Sequence, residues 1–103
     1  MAEYVAKRNP NRCPAHPGEL LRETILPALG LPKTDIAKAL DISRTQLYGI
    51  LDEVKPVSPE IAVKLGTAFG DGPEVWLRMQ ANYDAWHAAR HTNVSKVKKL
   101  AAA

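Results

Sequence analysis

A single cysteine, Cys13, stands among 103 residues, so no internal disulfide can form and the fold depends on packing. No uninterrupted apolar run is long enough to span a bilayer as a helix. The first residues also lack the charged-then-apolar order of a secretory signal, and the expectation is a cytoplasmic protein without membrane contact. Aromatic residues are scarce, at 6%. No glycine-rich phosphate loop occurs, the carboxylates form no recognisable pair, and Ser43 has no evident base, so no catalytic residue, cofactor or enzyme activity is expected. No segment alternates with period two, which argues against half-buried strands and predicts an all-α fold of five helices.

What the chain does have is apolar material for one modest core, with 46% hydrophobic residues. Three regions are expected: an N-terminal arm over residues 1–15, a helical body over 16–90, and a basic, flexible tail over 91–103. Pro10, Pro14, Asn9 and Asn11 oppose helix in the arm. His16-Pro17-Gly18-Glu19 suits a helix start, with Leu20, Leu21, Thr24 and Ile25 as its buried stripe and Pro27 and Gly30 as its end. Ser58-Pro59-Glu60 combines N-cap, proline and acid, and Ile61, Ala62, Leu65 and Phe69 follow at helical spacing before Gly70. After the Gly70–Pro73 break, Glu74 to about Arg90 reads as the longest helix.

Between the first and last helices lies the most informative stretch, Lys33 to Leu51. Ile36, Ala37 and Leu40 fall on the inner face of one short helix, Ile42 fills a corner, and Ser43 caps a second helix whose buried stripe is Leu47, Ile50 and Leu51. Arg44, Thr45, Gln46 and Tyr48 are left facing outward. This is the pattern of a DNA-binding helix-turn-helix, in which the second helix enters the major groove with its N-terminal residues at the base edges. An ordinary antiparallel helix pair with a solvated face has the same pattern.

Flanking motifs extend the pattern. His16-Pro-Gly-Glu-Leu-Leu-Arg22, the helix-turn-helix, Pro56-Val-Ser-Pro-Glu-Ile-Ala-Val-Lys-Leu-Gly66 and Pro73-Glu-Val-Trp-Leu-Arg-Met-Gln-Ala-Asn-Tyr-Asp-Ala-Trp86 together resemble the HigA-type antitoxins of the Xre-like helix-turn-helix superfamily. The resemblance covers roughly residues 16–86 and implies a five-helix bundle of the lambda-repressor-like type. It also implies a homodimeric repressor that binds double-stranded operator DNA of its own operon and neutralises a HigB-like ribonuclease toxin. On the same basis Ser43, Arg44, Thr45, Gln46 and Tyr48 look like recognition-helix positions, and Lys33 and Thr34 look like phosphate contacts. Lys55 is the one cation placed to offset Asp52 and Glu53 just after the recognition helix. Many relatives carry Asn-Gly and basic residues there, and Asp41 fills a turn position often held by glycine.

Charge narrows the reading. Residues 16–89 hold seven basic and ten acidic side chains, net −3, whereas the remaining segments hold seven basic and one acidic, net +6, giving the chain's +3. Basicity therefore lives in the ends, where the arm or Lys96, Lys98 and Lys99 can add phosphate contacts or merely solubilise. An acidic body suits a basic toxin, with Asp71, Glu74 and Asp84 as candidates. Trp76, Met79, Tyr83 and Trp86 form a stripe that serves either the core or a dimer or partner interface. Cys13-x-x-His16 and His87-x-x-x-His91 have zinc-ligand types and spacings, but nothing in the sequence requires those ends to meet, and no metal is expected. Two other functions compete: a solitary helix-turn-helix transcriptional regulator without a toxin partner, and an interaction module that no longer binds DNA.

Overall fold

The computed structural model describes residues 12–101, so residues 1–11 of the expected arm lie outside it. Five helical segments follow one another, with no strand among the described residues. Helix α1 covers 17–29, α2 Lys33–Leu40, α3 Arg44–Leu51, α4 Pro59–Phe69 and α5 Pro73–His91. Residues 92–101 continue past the last helix without helix or strand and are exposed.

The helix boundaries follow local chemistry. Ser43 and Ser58 stand in extended backbone, and each accepts a hydrogen bond from the amide three residues on, Gln46 N at 3.0 Å and Ile61 N at 3.3 Å. Prolines occupy the first turn of α1, α4 and α5, where a missing N–H costs nothing. Gly30 and Gly70 end α1 and α4 in the left-handed region.

Helix α1 departs from the expected spacing. Its middle turn, Leu21–Ile25, is a π segment closed by a hydrogen bond from Leu26 N to the Leu21 carbonyl. Pro27 follows at once; it has no N–H and its ring opposes the carbonyl four residues back, so a wider turn relieves the helix. The wider turn shifts the buried face. Leu21 and Leu26, five residues apart, are both buried, whereas Thr24 is exposed rather than part of the stripe. Pro27 also does not end the helix, which runs on to Leu29.

The core lies where the helices converge, with Leu21, Ile36, Leu40, Leu47, Ile50 and Leu65 each no more than 4% exposed. Trp76 on α5 joins them against α4, its ring 6.1 Å from that of Phe69, and its indole N–H donates to Asp71 at 3.1 Å. One polar side chain is buried beside it. Gln80 accepts from the Val57 amide at 2.8 Å and donates to Asp84 at 3.0 Å, fixing the segment before α4 to α5.

Candidate nucleic-acid interface

Helices α2 and α3 are joined by a turn whose left-handed residue is Asp41, at φ 57° and ψ 49°. The amides of Asp41 and Ile42 return to the carbonyls of Lys38 and Ala37 at 3.1 and 3.0 Å, the paired bonds of a Schellman motif. Ile42 is half-buried against the core at the corner where the sequence placed it.

Helix α3 divides its side chains cleanly. Leu47, Ile50 and Leu51 are buried, Arg44, Thr45 and Tyr48 are exposed, and Gln46 is half-buried. The Ser43 oxygen is engaged as the cap, so its hydroxyl proton remains for another acceptor. On α2, Lys33 and Thr34 are both exposed, and the Lys33 ammonium sits 5.9 Å from the Tyr48 ring centroid. Thr34, Lys38 and Arg44 line a shallow cleft of about 380 Å³ floored by Ala37 and Ile42. One face thus gathers three cations, Lys33, Lys38 and Arg44, with the hydroxyls of Thr34, Ser43, Thr45 and Tyr48 and the Gln46 amide, the donor types that suit phosphate oxygens and base edges.

The seat beneath α3 is close. A Cβ on Gly18 would lie 1.8 Å from the Ile50 carbonyl oxygen, so α1 meets α3 backbone to backbone and only glycine fits. His16 anchors the same junction. Buried at 2% exposure, it caps α1 by accepting from Gly18 N at 2.9 Å, meets Tyr83 edge-on at 4.9 Å, and has a backbone hydrogen bond with Lys55. Burial lowers its pKa below the usual 6.5, against the opposing pull of Glu53 and Asp84.

The acids around α3 are not left facing phosphates alone. Glu53 is half-buried and pairs with Arg22 at 3.1 Å, and Asp41 lies 3.6 Å from Lys64. Asp52 is exposed. Lys55 is half-buried, its aliphatic stem lying across Gly49 of α3.

The comparisons with known proteins fit this geometry. No family model matches the chain. Virulence-associated protein A of Dichelobacter nodosus is 44% identical over 88 residues, spanning 84% of this chain and 85% of its own. Antitoxin HigA-1 of Vibrio cholerae serotype O1 is 30% identical over 79 residues, 77% of this chain and 74% of its own. The chain belongs to the HigA-type antitoxins of the Xre-like helix-turn-helix superfamily. Among solved structures, the antitoxin GraA in complex with its operator superposes on this HigA-type chain with a TM-score of 0.80 at 31% identity. That match covers 93% of this chain and 99% of GraA.

The remaining expected residues of this HigA-type chain are placed as follows. Trp76 is 1% exposed and packs within its own chain, so it has no surface to offer an interface. Met79, Tyr83 and Trp86 are half-buried. The Cys13 and His87 ends do meet, Sγ lying 3.4 Å from Nε2, but no group of three or more metal-ligating side chains gathers among the described residues. His16 is spent as a cap and His91 stacks on His87 at 6.1 Å between ring centroids. No described helix is long and apolar enough to cross a membrane. Sequence reasoning missed the hydrogen bonds by which Gln80, Lys64 and Arg22 tie Val57, Asp41 and Leu51 to neighbouring helices. Gln80 carried a signal, one turn after Trp76 and one before Asp84 on the same helix.

Proposed function

We propose that this protein is the antitoxin of a type II toxin-antitoxin system, repressing its own operon as a homodimer on operator DNA and neutralising a HigB-like ribonuclease toxin. The observation that carries the reading is the division of α3, with every apolar side chain of its stripe buried and Arg44, Thr45 and Tyr48 presented outward from a capped N-terminus. Lys33, Thr34, Ser43, Gln46 and Lys55 complete the proposed contact set. Arg44 reads a guanine by two hydrogen bonds in this scheme, and Lys33 and Thr34 hold phosphates. In a dimer the two recognition helices would meet successive major grooves about 34 Å apart on a palindromic site. Half-buried Met79, Tyr83 and Trp86 on α5 are proposed for the dimer or toxin surface, and the acidic body supplies charge complementary to a basic toxin.

Footprinting on the chain's own promoter tests the DNA reading, with protection of a palindromic segment expected. Arg44→Ala should weaken that binding by about 1 to 3 kcal/mol and relax discrimination at one base position. Protection that is absent, or unaltered in Arg44→Ala, rejects the assignment. Co-expression with the product of the adjacent gene tests the toxin reading: rescue of growth and a stable complex support it, and an adjacent gene without ribonuclease activity points to a solitary regulator.

A further inference from the structure

Two residues other than glycine adopt positive φ among the described residues, Asp41 at 57° and Glu53 at 63°, and they flank α3. Each occupies the position of a Schellman motif where glycine is usual: Glu53 N and Val54 N return to the carbonyls of Ile50 and Gly49 at 3.0 and 2.9 Å, as Asp41 and Ile42 do at the other end. An L side chain is disfavoured in this region, so the surroundings must hold the turn.

In both cases a cation from another helix does so. Lys64 on α4 donates to the Asp41 carbonyl at 2.7 Å and lies 3.6 Å from its carboxylate. Arg22, in the π segment of α1, donates to the Leu51 carbonyl through Nη1 and pairs with the Glu53 carboxylate through Nη2 at 3.1 Å. We infer that Lys64 and Arg22 are positioning residues that hold the recognition helix at its two ends, acting on it through turns that would otherwise require glycine. The carbonyl bond is the working contact at Lys64, because the Asp41 side chain is 96% exposed and an ion pair in water contributes little. At Arg22 the half-buried Glu53 carboxylate adds a second point of attachment. Lys64 is thereby assigned to the turn rather than to a phosphate.

This assignment rests on the reading of α3 as the DNA-recognition helix, and the test separates the two. The full chain and its Lys64→Met variant are compared for binding to the chain's own promoter and to unrelated duplex over a range of salt, and for amide hydrogen exchange without DNA. Lys64→Met should lower promoter affinity about fivefold, the size of one net hydrogen bond, while affinity for unrelated duplex stays unchanged. The dependence on salt should keep its slope, whereas loss of a direct phosphate contact would reduce it by about 0.9 per copy and overturn the proposal. Exchange at Asp41 and Ile42, whose amides close the turn, should accelerate.

Asp41→Gly, which needs no clamp, should restore affinity in the Lys64→Met background but change it less than about twofold alone, a non-additivity that marks coupled residues. Additive effects overturn the proposal. If Lys64→Met does not fold, Lys64→Gln keeps a donor for the carbonyl and should show a smaller loss with the same rescue. If the unaltered protein ignores its promoter, the DNA reading fails while the exchange experiment still decides the clamp. Unaltered exchange at Asp41 and Ile42 rejects it.

Discussion

At the scale of single residues, two positions make the junction of α1 and α3. Gly18→Ala would drive a methyl group into the Ile50 carbonyl, and no side-chain movement can relieve a clash with backbone. Overpacking of this kind costs on the order of 1 to 3 kcal/mol, so the melting temperature of Gly18→Ala should fall by several degrees. An unchanged melting temperature would show that the two helices separate freely.

His16 gives the protein a pH dependence with a definite sign. Its neutral form accepts from Gly18 N, and burial holds its folded pKa below 6.5. The unfolded chain therefore binds a proton that the folded one excludes, and stability rises with pH through this window. The contribution is complete above about 6.5, the ordinary histidine value, and is lost as pH falls through the lowered folded value. Thermal melts from pH 7.5 to 5 should show this decline, and His16→Asn, which keeps a capping oxygen without the titration, should flatten it. Equal slopes in both proteins would assign the decline to other groups.

At the scale of elements, Gln80 is the test of how α5 holds the segment before α4. Gln80→Leu leaves the buried Val57 amide without an acceptor, a loss of about 1 to 3 kcal/mol in chemical denaturation. A smaller effect would mean that water reaches Val57. The same scale shows what the sequence disclosed. Helix starts at Pro17, Ser43 and Ser58 were legible because capping oxygens and first-turn prolines act over three residues or fewer, whereas the last helix takes in Pro73, which the sequence pattern places in the preceding break. The stripe of α1 was not, because periodicity assumes regular turns and the π segment beside Pro27 moved the inward position from Thr24 to Leu26. The outward face of α3 followed from spacing, but the cations holding its ends come from residues 20 or more positions removed in pairing, Lys64 to Asp41 and Arg22 to Leu51, and no local pattern announces them.

At the scale of the whole molecule, charge is divided between an acidic body and basic ends, and the ion pairs sharpen that division. Arg22 and Lys64 are engaged with acids of the body, so fewer of its cations face outward than the sequence count suggests. Lys96, Lys98 and Lys99 lie in the exposed segment after α5. Deleting residues 92–103 should therefore flatten the salt dependence of promoter binding while leaving the choice of sequence intact. An unchanged slope would assign the tail to solubility alone. Sedimentation at micromolar concentration should give a dimer, and a monomer there would remove the palindromic geometry.

The clean division of α3 has a consequence for how such a protein changes over time. Arg44, Thr45 and Tyr48 take no part in the core, and the helix is seated by backbone contact at Gly18 and by its own inward leucines and isoleucine. Surface exchanges at those outward positions should shift stability by no more than about 0.5 kcal/mol. Under the proposed role of these positions, the lineage can rewrite its target sequence one letter at a time, without first having to rebuild the scaffold that carries the reader.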